Sequence, residues 1–273
     1  MAFHNLGAEC VFVSEWDDAA RKTYKANYEK ISPKIFKDEE HLFVGDITKV
    51  DAKDIPDFDI ITGGFPCQPF SQAGLKKGFN ETRGTLFFDV ARIIKEKQPR
   101  AFFLENVRGL LTHDGGKTFS VIQKVLTEEL GYSLYYKIVK ASDFGVPQHR
   151  PRLYMVGFKN KDIKFEFPEP IPLKTTMSDV MGGKVDKEVG YTLRVGGRHS
   201  GVNDRRNWDC YIVDGVERCM TPQEGLKMQG FPDSFVFPVS ESQAMKQLGN
   251  SVAVPAIQAT AKKIIEALQH EDI

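Results

Sequence analysis

The run Asp59-Ile60-Ile61-Thr62-Gly63-Gly64-Phe65-Pro66-Cys67-Gln68-Pro69-Phe70-Ser71 decides how this chain is read. Its first residues have the apolar, β-branched character of a buried strand, and the two glycines let the backbone turn or approach a ligand closely. Pro66 and Pro69 fix φ on either side of Cys67, so the thiol is held rather than left to wander. The carboxyl end of a parallel strand is where α/β proteins place their active sites. A cysteine in a proline-rich turn is more often a structural one, so its neighbours have to make the case.

Three further blocks follow in order. Ala101-Phe102-Phe103-Leu104-Glu105-Asn106-Val107 is an apolar strand ending in a polar pair led by a carboxylate. Gln148-His149-Arg150-Pro151-Arg152-Leu153-Tyr154-Met155-Val156 enters a strand with two arginines at alternate positions, and a period of two sends both to one side. Gln247-Leu248-Gly249-Asn250-Ser251-Val252 opens a helix with Asn or Ser available to cap it. Upstream, the strand Cys10–Ser14 ends at Glu15-Trp16, and the apolar run before Asp46-Ile47 ends in the same way. An acid at such a point can accept ribose hydroxyls, while an indole offers adenine a flat face.

Strands are expected near 10–14, 42–46, 58–62, 100–104, 134–140 and 152–158, with helices near 17–28, 86–97 and 118–130. This alternation predicts an α/β fold with a doubly wound, mostly parallel sheet. From about residue 165 the pattern changes to prolines and a Gly-rich polar stretch. The expected division is a catalytic and cofactor-binding domain over 1–164 and 241–273, with a smaller, irregular β-containing domain over 165–240 inserted. A last helix, with Ile257, Ala261, Ile264, Ile265 and Leu268 on one side, should return to the sheet.

Taken together and in this order, over nearly the whole chain, the blocks resemble the bacterial restriction–modification type of DNA cytosine-C5 methyltransferase. The resemblance implies a methyltransferase fold that uses S-adenosylmethionine as co-substrate. C5 of cytosine is too poor a nucleophile to attack a methylsulfonium until a thiolate adds at C6, and cysteine can both add and leave again. Cys67 takes that role by likeness, Glu105 contacts N3 and the exocyclic amine, Arg152 the carbonyl oxygen, and Arg150 the target nucleotide and its backbone. The co-substrate contacts implied are Glu15, Trp16, Asp46, Ile47, Pro66, Leu86 and Asn250. The partner is double-stranded DNA, with the base rotated out of the stack. Gln68, Ser71 and Arg83 would touch it from a cover over about 71–88, and Thr192, Arg194, Arg198, Arg205 and Arg206 from the compact recognition region, with Asn207 available to read bases. Glu224 reads as a structural acceptor. A cognate restriction endonuclease would be a functional partner.

The front of the chain departs from that pattern. Full members begin with an apolar strand and a Phe-x-Gly-x-Gly turn, whereas Met1-Ala2-Phe3-His4-Asn5-Leu6-Gly7 looks like the helix after it. The expectation is that a second polypeptide or an extension supplies the strand, and that residues 1–273 alone are unstable and bind the co-substrate weakly. Two other readings stay open: methylation of RNA by a member of the same family, and a non-catalytic DNA-binding subunit or remnant.

Composition adds bounds. Lys plus Arg is 37 and Asp plus Glu is 37, so any affinity for DNA depends on clustering of the basic residues. No apolar run approaches the ~20 residues of a membrane span, and no signal peptide is evident, so a cytoplasmic location is expected. Cys10, Cys67, Cys210 and Cys219 lack metal-ligand or disulfide-framework spacing, and no metal is expected.

Overall fold

The structure is a computed structural model and describes residues 1–67 and 85–271. Strand and helix alternate from the start. β1 (Val13–Ser14) leads to α1 (Asp18–Tyr28), α2 (Pro33–Lys37) and α3 (Glu39–Leu42), and β2 (Phe43–Val44) then lies parallel to β1. Asp17 starts α1, its carboxylate accepting the Ala19 and Ala20 amides at 3.0 Å each. Next come β3 (Ile60–Gly64), α4 (Leu86–Lys97), β4 (Ala101–Val107), α5 (Lys117–Lys124), β5 (Tyr135–Lys140) and β6 (Pro151–Phe158). The hydrogen-bonded order is β3-β4-β6-β5.

The α/β class stands, and the sheet differs in two details from the expected one. β3 and β4 are parallel, but β6 pairs antiparallel with both β4 and β5. Three strands therefore share a direction and β6 opposes them. The link from β5 to β6, residues 141–150, is shorter than the dozen or more residues a parallel crossover requires. The second detail is a break: β1 and β2 form a two-stranded ladder of their own, and among the described residues no strand joins it to the outer edge of β3. An isolated two-stranded pair is marginal, which explains why both strands are shorter than their apolar runs suggested. The helix expected over 118–130 stops at Lys124 and continues as a π-helical turn, Val125–Glu129.

After β6 come α6 (Met177–Met181), the antiparallel hairpin β7 (Cys210–Val213) and β8 (Val216–Cys219), and α7 (Pro222–Met228). α8 (Glu241–Asn250) and α9 (Val254–Glu271) bring the chain back. Ala261, Ile264 and Leu268 of α9 are buried, and Ile264 and Leu268 pack in one cluster with Phe103, Val156 and Phe158 of the sheet. The region 165–240 does not keep its core to itself. Trp208, Tyr211, Leu226 and Met228 pack in one cluster with Tyr28 of α1 and with Met245 and Leu248 of α8. Composition marks where the chain changes character; apolar packing runs across that boundary. Contrary to the spacing argument, Cys210 and Cys219 are cross-strand partners in the hairpin and are joined as a disulfide. No helix among the described residues is long and apolar enough to cross a membrane.

Candidate active site

Gly64 and Glu105 are partners across the parallel β3–β4 ladder. A Cβ on Gly64 would lie 3.3 Å from Glu105 Oε2, so the absence of a side chain there gives the carboxylate room. Beyond Gly64 the chain turns into the loop carrying Cys67. Buried Asn106 anchors that loop, its Nδ2 donating to the Phe65 carbonyl at 2.7 Å. The Phe65 ring packs 5.3 Å from that of Phe87 in α4. Neighbouring strands thus deliver thiol and carboxyl to the same end of the sheet.

Glu105 stands opposite Tyr154 and Val107 opposite Arg152, two positions along each strand and so on one face. Arg152 Nε reaches Glu105 Oε1 at 2.8 Å, with the two side chains 15% and 20% exposed. Burial raises the Glu105 carboxyl above the ordinary carboxylate value, and outweighs Arg152 and Arg150, which pull it down. Burial also raises the Cys67 thiol above its ordinary value.

Arg150 lies near enough to Glu105 to pull its pKa down, but its guanidinium is held by backbone carbonyls. It is 2% exposed, and its guanidinium donates to the carbonyls of Leu193 at 3.0 Å, Gly249 at 2.9 Å and Ser251. A period of two placed both arginines on one side, and likeness gave Arg150 the target nucleotide and its backbone; here Arg150 turns inward and straps the inserted region and the α8 end to the sheet.

The nucleoside-binding candidates divide. Glu15 and Asp46 follow the ends of adjacent parallel strands, β1 and β2, with the Glu15 amide donating to the Val44 carbonyl at 3.0 Å. Trp16 is 81% exposed, an open face of the kind a base can cover. Each acid also serves the local backbone. Glu15 accepts the Asp17 amide at 2.9 Å, and Asp46 accepts the Thr48 hydroxyl at 2.7 Å and its amide at 3.0 Å, which lowers its pKa. Ile47 follows Asp46, Leu86 opens α4, Pro66 precedes the thiol, and Asn250 ends α8. A cavity of about 310 Å³ lies between Ser14 and Glu15 on one side and Gln247 and Ser251 on the other. Gln247 Nε2 is buried there without a hydrogen-bond partner. Tyr24, Tyr28, Phe231, Phe235 and Phe237 supply much of the cavity's wall, so it is largely aromatic, with Glu15 and the orphaned Gln247 donor as polar groups. This lining fits a ligand with both a flat apolar part and polar groups, such as S-adenosylmethionine. The sequence pointed to the neighbour Asn250 and missed Gln247, because only burial distinguishes them.

Gln68, Ser71 and Arg83 lie outside the described residues. Arg194, Arg205 and Arg206 are exposed, Arg206 pairing with Asp204 at 2.7 Å. Thr192 gives its hydroxyl to the His149 carbonyl. Two candidates are corrected. Arg198 is tied to buried Asp209 at 3.3 Å and to Glu241 at 2.9 Å. Asn207 is 7% exposed and spends its amide on Cys210. Arg218 meets Glu224 at 2.7 Å, and Glu224 completes a capping box with Thr221, the structural role expected of it.

The sequence profile of the C-5 cytosine-specific DNA methylases matches residues 1–209 and 188–266. The chain belongs to that family. It is 48% identical to the Type II methyltransferase M.SsoII of Shigella sonnei, over 98% of this chain and 77% of that protein. It is 43% identical to M.HpaII of Haemophilus parainfluenzae, over 98% and 86%, and 36% identical to M.HhaI of Haemophilus parahaemolyticus, over 98% and 91%. Among solved structures, Spodoptera frugiperda DNMT2 superposes with a TM-score of 0.71 at 18% identity, over 98% of this chain and 95% of that one. At that identity the likeness is one of fold.

Proposed function

We propose that this DNA cytosine-C5 methyltransferase forms its covalent adduct through Cys67, with Glu105 and Arg152 holding the base. The observation that carries the reading is the joint delivery of the Cys67 loop and Glu105 by neighbouring strands, tied by Asn106 at 2.7 Å. S-adenosylmethionine, when bound, supplies an electrophilic methyl group. The residues for it are Glu15, Trp16, Asp46, Ile47, Pro66, Leu86 and Asn250, with Gln247 added from the cavity.

The chain's own groups account for the rest. Cys67 Sγ adds to C6 of the ring, and its proton leaves to solvent or base. Glu105, favoured in its neutral form by burial, donates to N3 as the ring gains electron density. Arg152 spends Nε on Glu105 and an N–H on the Pro151 carbonyl at 3.0 Å. A guanidinium has five N–H donors, so others stay free for the base carbonyl oxygen. Once C5 had taken the methyl group that the bound co-substrate would supply, loss of the C5 proton would let the Sγ–C6 bond break, and N3 would return its proton to Glu105. The target must leave the duplex, at a cost of a few kcal/mol that contacts to the extruded base offset. Exposed Arg194, Arg205 and Arg206 suit phosphates or guanine edges.

The names of the Type II relatives support DNA over RNA as substrate and a modification role beside a restriction endonuclease. The separation of the β1–β2 pair from β3 supports a further element: an extended segment, with a Gly-rich turn, paired between them and supplied by a second polypeptide or an extension. The test of the catalytic reading is Glu105→Gln. Single-turnover methylation should fall ~10²–10⁴-fold, with DNA affinity changed far less. An unchanged rate would leave Glu105 a structural carboxylate.

A further inference from the structure

Within the inserted region, four side chains of unlike chemistry converge. Cys210 and Cys219 face each other across β7 and β8 with Cα atoms 3.8 Å apart and their sulfurs joined. Asp209, fully buried, immediately precedes Cys210, and His199 comes from the loop before it. One atom from each, a His199 ring nitrogen, an Asp209 oxygen and the two sulfurs, lie within 4.8 Å of one another.

A disulfide accounts for the sulfurs and for nothing else in the group. The Asp209 carboxylate is loosely satisfied: the Arg198 Nε and His199 amide bonds are each 3.3 Å, while charge-assisted bonds usually run ~2.7–2.9 Å. His199 is held at φ +59°, a left-handed conformation unusual for a residue with a side chain. We propose that, with the two thiols reduced, His199, Asp209, Cys210 and Cys219 bind one zinc ion. Two thiolates, an imidazole and a carboxylate form a four-ligand set of the kind zinc takes tetrahedrally, and thiolate ligands disfavour magnesium and calcium. Arg198, which bridges Asp209 and Glu241, places a positive charge beside the anionic ligands. The spacing hid this site, because 199, 209, 210 and 219 match no common zinc pattern. The ion would pin the loop bearing Arg194 and Arg198 to the β7–β8 hairpin.

Opening the pair needs a reductant. A phosphine cleaves the S–S bond, taking oxygen from one water to become its oxide and leaving two thiols, whose protons the zinc ion then displaces. The full chain, purified in a phosphine without chelator, should carry one equivalent of zinc by mass spectrometry. Replacement by Co²⁺ should give a thiolate-to-cobalt charge-transfer band and the strong visible bands of tetrahedral cobalt. Cys219→Ser should lose the charge-transfer intensity of one thiolate. His199→Ala removes an exposed side chain, so the fold, checked by circular dichroism, should persist, and affinity should drop by at least the roughly 10–100-fold that outer-shell losses cost. Reduced protein that takes up no stoichiometric metal, or a His199→Ala variant that binds like the parent, would show the pair to be a disulfide only and overturn the proposal.

Discussion

Burial raises the pKa of the Cys67 thiol. The consequence is measurable in the free protein. A raised pKa means less thiolate at neutral pH than in free cysteine, whose value is about 8.5. Iodoacetamide labelling of Cys67, resolved from free Cys10 by peptide mass spectrometry, should be slower than labelling of free cysteine at neutral pH and should climb only above the ordinary thiol range. Faster labelling would mean that the protein lowers the thiol pKa. The placement of Cys67 after β3, Glu105 near the end of β4 and Arg152 at the start of β6 was legible in sequence because each marks a strand end or entrance. Arg150, Arg198 and Asn207 misled for one reason: polarity says that a side chain needs partners, and only the fold says whether those partners are backbone, carboxylate or DNA.

Among the elements, the strands from β3 to β6 stand within about two or three residues of where apolar runs placed them, most plainly for β4 and β6, whose runs are buried along most of their length. Direction was less legible. β6 reverses because the link before it is short, a constraint that strand-helix alternation elsewhere in the chain obscured. β1 and β2 are only two residues each, and among the described residues no strand lies between them and β3. Unpaired buried backbone groups cost ~1–3 kcal/mol each. A peptide carrying an apolar strand and a Gly-rich turn, fused or added in trans, should raise the melting temperature of residues 1–273 by about 2–4 °C per kcal/mol gained, and should strengthen S-adenosylmethionine binding in parallel. A chain that melts cooperatively and turns over fully without it, and gains nothing from it, would contradict the strand-slot reading.

Across the whole molecule, the inserted region is fastened rather than hinged. Its apolar cluster continues into α1 and α8, and Arg150 reaches from the strand bearing Arg152 to the backbone of Leu193, Gly249 and Ser251. That fastening fixes exposed Arg194 relative to Cys67, as a protein must if it is to hold a duplex while chemistry proceeds on one extruded base. The proposed chemistry on that base is a bond from Cys67 Sγ to C6. A duplex containing 5-fluorocytosine at the target, incubated with enzyme and S-adenosylmethionine, should yield a complex that survives denaturing electrophoresis, because fluorine cannot leave C5 as a proton does. The account predicts that complex for the parent protein and none for Cys67→Ser; a denaturation-resistant complex formed equally by Cys67→Ser would contradict it.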